Sequence, residues 1–155
     1  MSNKIEGSMD GSRLNIGVVV ARFNQFVTDK LLEGAEIGLA ENGVSPESVT
    51  VVFVPGSFEI PVIASKMALT GRFDAVICLG AVIKGDTDHY EFVAREAARG
   101  ISQVALTSGV PIVFGVLTTR TMQHALERAG GRKGNVGHSC ALTAIQTANV
   151  IREIS

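Results

Sequence analysis

The chain has 155 residues, 46% of them hydrophobic and 19% charged, with a formal net charge of −1. That length suits one domain with a proper core, and the apolar excess excludes disorder. Near-neutral charge without a basic run excludes a self-sufficient nucleic-acid binder, and the scarcity of polar residues points to a subunit that hides surface against copies of itself.

Residues 1–12 mix charge with glycine and have no place in a regular element. They are expected to form an arm, either flexible or pairing with the sheet edge of a neighbouring subunit. The stretch up to Arg13 also lacks the apolar run of a secretory signal. The single domain is expected over 13–155. Its first strand candidate is Leu14–Ala21, followed by a helical stripe of Val27, Leu31, Leu32, Ala35 and Leu39 that stops at Gly43. A second strand, Val49–Val54, leads to a helix over Ile60–Leu69, with Pro61 tolerable in its first turn. Ala75–Leu79 is the third strand and Tyr90 to Thr107 the third helix. Ile112–Leu117 is the fourth strand, and helices over Met122–Ala129 and Ala141–Ile154 complete the chain. The strands are apolar at nearly every position and rich in β-branched residues, as strands are when both faces of a parallel sheet are covered. The pattern predicts an α/β three-layer sandwich with a four-stranded parallel sheet in flavodoxin-like order.

Gly100–Thr119 carries no charge but includes Gln103, Pro111 and three glycines, so it reads as a helix followed by a strand and not as a membrane span. Cys78 and Cys140 form no CxxC pair and no disulfide framework. Together these features predict a soluble, cytoplasmic protein without membrane contact.

In open α/β sheets, ligands bind beyond the carboxyl ends of the strands. The unusual residues fall there: Arg22-Phe23-Asn24, Pro55-Gly56-Ser57-Phe58-Glu59, Gly80 through His89, and Thr118-Thr119-Arg120. Lys84-Gly85-Asp86-Thr87 precedes a helix, whose free N–H groups and dipole suit an anion; alternatively, Asp86 or Asp88 is simply the helix cap. His89 carries an imidazole, the side chain suited to moving a proton near neutral pH, or is a plain exposed histidine. Phe23 offers a flat face for stacking, or is core. A buried Glu59 would accept hydrogen bonds from a polyol or a ring N–H. A hydrolase reading of Ser57 fails, because a nucleophile elbow needs glycine where Glu59 stands. Arg128 has the plain reading of a helical arginine paired with Glu127 or Glu153. No His or Cys spacing suits a metal, His138 with Cys140 being too little for zinc.

These segments, with Leu126-Glu127-Arg128-Ala129-Gly130, occur in the order and spacing of the lumazine synthases, and the chain resembles that family over about residues 14–154. The resemblance implies condensation of 5-amino-6-(D-ribitylamino)uracil with 3,4-dihydroxy-2-butanone 4-phosphate to 6,7-dimethyl-8-ribityllumazine, with loss of phosphate and water and without cofactor or metal. It implies that Phe23 and Asn24 border the pyrimidine, that Gly56, Ser57, Phe58 and Glu59 hold the ribityl chain, and that Ala81, Val82 and Ile83 line the ring pocket. Gly85, Asp86 and Thr87 would bind phosphate, and His89 would shuttle protons. Phe114 and Arg128 would come from the adjacent subunit of a pentamer or a multiple of it, Arg128 pairing with the phosphate. Riboflavin synthase is a further partner implied by the family.

The chain departs from the family at Val136, where a lysine is usual, at Ser139, where a glutamate is usual, and at Lys84, where arginine is commoner. Arg132 and Lys133 are the cations left to stand in for that lysine. The departures leave a second reading, a non-catalytic paralogue that holds riboflavin or a lumazine in the same pocket. A receiver domain is excluded because no acidic cluster follows the first strand.

Overall fold

The computed structural model describes all 155 residues. In β1 (Ile16–Ala21) all six residues are buried. Successive strand side chains point to opposite faces, so Val18 and Val20 enter one core while Val19 and Ala21 enter another. The same division continues in β3 (Ala75–Ile83), which sends Ile77 and Leu79 one way and Val76 and Cys78 the other. Between β1 and β3 run α1 (Gln25–Glu41), β2 (Val49–Val54) and α2 (Ile60–Leu69). After β3 come α3 (His89–Ser108), β4 (Ile112–Thr119), α4 (Met122–Glu127), a small hairpin of β5 (Ala129–Gly131) and β6 (Gly134–Asn135), and α5 (Val136–Ile154).

The main sheet is wholly parallel in the order β2-β1-β3-β4. One core holds Leu31 and Ala35 of α1 with Ala141 and Ile145 of α5; the other holds Ile60 and Ala64 of α2 with Ile101 of α3. Helices therefore cover both faces, and the expected α/β sandwich is what forms. Each fully buried Leu or Ile contributes about 1.5–3 kcal/mol relative to exposure. No helix is long and apolar enough to cross a membrane.

Besides small shifts, with β1 opening at Ile16 and not Leu14 and α3 spanning His89–Ser108, three boundaries differ substantially from the sequence reading. β3 continues to Ile83, because Val82 and Ile83 pair with Thr118 and Thr119 of a correspondingly longer β4. Gly80, Ala81, Val82 and Ile83 are therefore strand, and the loop is only Lys84–Asp88. The helix around Met122 ends at Glu127, and the glycine pair beyond it turns into the β5–β6 hairpin. Finally, α5 begins at Val136, where the Asn135 side chain caps it by accepting from the His138 N–H at 3.2 Å.

Residues 1–12 form no helix or strand. Their second half lies on α5 of the same chain: Gln146 Nε2 donates to the Glu6 carbonyl at 3.0 Å, and Asn149 Nδ2 donates to the Ser8 and Asp10 carbonyls at 2.9 and 3.0 Å. Both cysteines are free and buried. Burial pushes the Cys140 thiol up to about 11 and the Cys78 thiol further still, with the Cys140 charge adding to the effect on Cys78. A disulfide-exchange probe at pH 7.5 should therefore label neither thiol in the native protein and both after denaturation; rapid native labelling would show that the α5–β4 contact opens.

Candidate functional site

The sheet order reverses between β1 and β3, and a cavity of about 720 Å³ opens at the carboxyl ends of β1, β2 and β3. This is where an open α/β sheet splits its crossovers to opposite faces and leaves room for a ligand. Phe23 and Asn24 line it from β1, Pro55 through Glu59 from β2, and Ala81, Val82 and Ile83 from β3. Gly85, Thr87 and His89 line it from the loop and the start of α3, followed by Tyr90, Phe92 and Val93 from the helix itself.

Each wall has a local cause. Asn24 adopts a left-handed backbone (φ 61°, ψ 45°), which asparagine tolerates better than most residues. Its carbonyl accepts from the Val27 N–H to start α1, while its Nδ2 donates to the Ala81 carbonyl at 2.8 Å. One residue thus ends β1, begins α1 and ties both to β3. A turn of 3₁₀ helix, Ser57–Glu59, follows β2 and sets the buried Ser57 hydroxyl directly on Gly80, where a Cβ would overlap Ser57 Oγ. Ser57 is therefore packed against the sheet and not presented as a nucleophile. Glu59 is half-buried, a correction to the buried carboxylate expected from sequence.

At the other end, Asp88 caps α3 without a side-chain hydrogen bond, so neither aspartate spends its carboxylate on the first turn. The Thr87 hydroxyl instead accepts from the His89 N–H at 3.3 Å. An added Cβ at Gly85 would meet nothing within 4 Å, so the chain itself does not require glycine there. His89 is exposed and makes no side-chain hydrogen bond or ion pair. Phe23 and Phe58 are 70% and 57% exposed, an unusual state for two phenylalanines bordering one cavity.

Three predicted residues are not among those lining this cavity. Asp86 lies in the adjoining loop without lining the cavity. Phe114 lines a different recess of about 520 Å³ on the outer edge of β4, together with Val136, Ser139 and Cys140. Arg128 follows α4; its Nη1 donates to the His124 carbonyl at 2.9 Å and lies 3.8 Å from Glu127 Oε1. Arg132 places its charge on Glu127 at 3.2 Å, and neither it nor Lys133 lines the recess beside Val136. Conversely, Tyr90, Phe92 and Val93 line the cavity without having been expected there. The signal for Phe92 and Val93 was the helical spacing from His89, which places them beside it on one face; Tyr90, the next residue along, had no such signal.

The lining combines flat apolar faces, a polar corner at Ser57 and Glu59, and an imidazole beside a helix start. No group of three or more His, Cys, Asp or Glu side chains converges as a metal site. The sequence model of the 6,7-dimethyl-8-ribityllumazine synthase family matches residues 13–152. That match takes in every residue lining the cavity and almost the whole chain, and the protein belongs to this family of transferases of riboflavin biosynthesis.

Proposed function

We propose that the protein condenses 5-amino-6-(D-ribitylamino)uracil with 3,4-dihydroxy-2-butanone 4-phosphate, releasing 6,7-dimethyl-8-ribityllumazine, phosphate and water, in the cytoplasm. The observation that carries this reading is one cavity, in a chain of this family, joining Phe23, Ser57–Glu59, Ala81–Ile83, Thr87 and His89. The pyrimidine stacks on Phe23 beside Asn24, against the apolar wall of Ala81, Val82 and Ile83. Gly56, Ser57, Phe58 and Glu59 hold the ribityl chain, with the Glu59 carboxylate accepting from its hydroxyls. The phosphate lies at the Gly85-Asp86-Thr87 loop, where the first N–H groups of α3 favour negative charge.

The amine of the pyrimidine attacks the ketone carbonyl of the phosphosugar. His89 delivers a proton to the departing hydroxyl as the imine forms, then takes the proton from the hydroxyl-bearing carbon beside the imine as the C–O bond to phosphate breaks; the resulting enol takes up a proton at the terminal carbon and becomes a methyl ketone. Ring closure by the ribityl-bearing nitrogen expels the remaining oxygen as water. Both reactants are intrinsically reactive, so holding them in register supplies much of the rate.

Phe114 and Arg128 complete the site from an adjacent subunit of a pentamer or a multiple of one. Support comes from their positions outside the cavity and from the exposed Phe23, Phe26, Phe58, Phe92 and Phe114, which a lone chain leaves uncovered. The test is spectrophotometric: purified protein with both substrates should form lumazine above the uncatalysed background. Arg128→Gln should raise KM for the phosphosugar at least about tenfold with little effect on the pyrimidine. Absence of product from an assembled protein that binds the pyrimidine would overturn the reading.

A further inference from the structure

We propose that Arg132 is a positioning residue that occupies the Glu127 carboxylate and so leaves the Arg128 guanidinium free for the phosphate of the substrate. The inference rests on the role given to Arg128 above. Glu127 ends α4 with its side chain only 14% exposed, and two arginines reach for it. They do so unequally. Arg132 Nη2 hydrogen-bonds Oε2 at 3.2 Å, whereas Arg128 Nη1 stands 3.8 Å from Oε1, outside hydrogen-bond range, and donates to the His124 carbonyl instead. A guanidinium carries five N–H donors, so Arg128 keeps most of its donors without an acceptor in the chain while its side chain is 40% exposed.

The β5–β6 hairpin is what brings Arg132 to this place. It is latched to the end of α4 by the Lys133 N–H on the Glu127 carbonyl at 2.7 Å and the Val136 N–H on the Arg128 carbonyl at 2.8 Å. Gly131 lies so close that a Cβ would come within 2.7 Å of the Leu126 carbonyl oxygen and 2.9 Å of Glu127 Cα. The turn residue Arg132 is thereby fixed opposite a carboxylate largely withdrawn from water, which requires a cation. Without Arg132, the nearest cation is Arg128. A two-pronged pairing with Glu127 would consume the donors an incoming phosphate needs.

The test uses the assembled protein and two readouts, calorimetric affinity for inorganic phosphate and steady-state kinetics. Arg132→Gln should weaken phosphate binding and raise KM for the phosphosugar by about three- to tenfold, leaving kcat and KM for the pyrimidine unchanged. Adding Glu127→Gln should return both values toward wild type, because a neutral amide no longer captures Arg128. A hairpin merely propped by the ion pair would not be rescued in this way. Unchanged phosphate affinity in Arg132→Gln, or no recovery in the double variant, overturns the proposal. Arg128→Gln separates the two layers: if it weakens phosphate binding while Arg132→Gln does not, only the positioning role fails. If it too leaves phosphate affinity unchanged, the assignment of Arg128 fails and the proposal with it.

Discussion

His89→Ala is expected to slow lumazine formation by about 10²-fold, toward the lower end of what a positioned general acid–base supplies. The low end is appropriate because the amine and the ketone react without help once they are oriented. His89 is the one imidazole lining the cavity. Its backbone is fixed by Thr87, while its exposed side chain is held by no hydrogen bond or ion pair within the chain. Removing the ring therefore takes away a proton carrier without removing a hydrogen bond or ion pair of the chain, and melting temperature and assembly should match wild type. The loss should fall on kcat, with KM for both substrates nearly preserved. Wild-type turnover in this variant would remove His89 from the mechanism.

Gly137→Ala should cost about 3 kcal/mol of stability or more, the largest structural effect expected of a single methyl group in this chain. Gly137 lies in the first turn of α5 against α1, where an added Cβ would overlap the Leu31 carbonyl oxygen and approach its carbon to 2.7 Å. The same methyl would stand 3.0 Å from the Asn135 side chain, which itself fills the space beside Gly34 and donates to the Lys30 carbonyl. The obstacle is backbone, so no rotamer change relieves it. Leu31 is fully buried, and moving α1 aside opens the core it shares with α5. Gly85→Ala is the matched control, since a Cβ there meets nothing and the backbone φ is ordinary. Urea unfolding should show a large drop in midpoint for Gly137→Ala and none for Gly85→Ala. Equal midpoints would mean that α1 and α5 can separate without cost.

The strands were legible because a sheet covered on both faces needs unbroken apolar runs, and Val18–Ala21 and Ala75–Leu79 are such runs. The far end of β3 was not legible. Gly80 reads as a break until Ser57, distant in sequence, is found to rest on it. The hairpin at 129–135 hid for a similar reason, since Gly130, Gly131 and Gly134 mark the end of a helix equally well. The start of α5 was obscured by Gly137 and Ser139, weak helix formers held in place by the Asn135 cap and by the contact with α1. The cavity was largely legible, because its residues cluster at strand ends where an α/β sheet must bind. Tyr90, Phe92 and Val93 escaped because an apolar helical stripe usually signals core. Phe114 and Arg128 were assigned to the site only through the family resemblance; nothing in their own spacing directs them to a cavity on another copy.

The most direct test of a reaction site shared between copies is co-assembly of two impaired variants. His89→Ala and Arg128→Gln should each be poor catalysts alone. In equal random mixture, a site is whole when the subunit giving the cavity carries Arg128→Gln and its neighbour carries His89→Ala, so about a quarter of wild-type activity should return. Activity no greater than that of the two parents, in particles shown to contain both chains, would contradict the account.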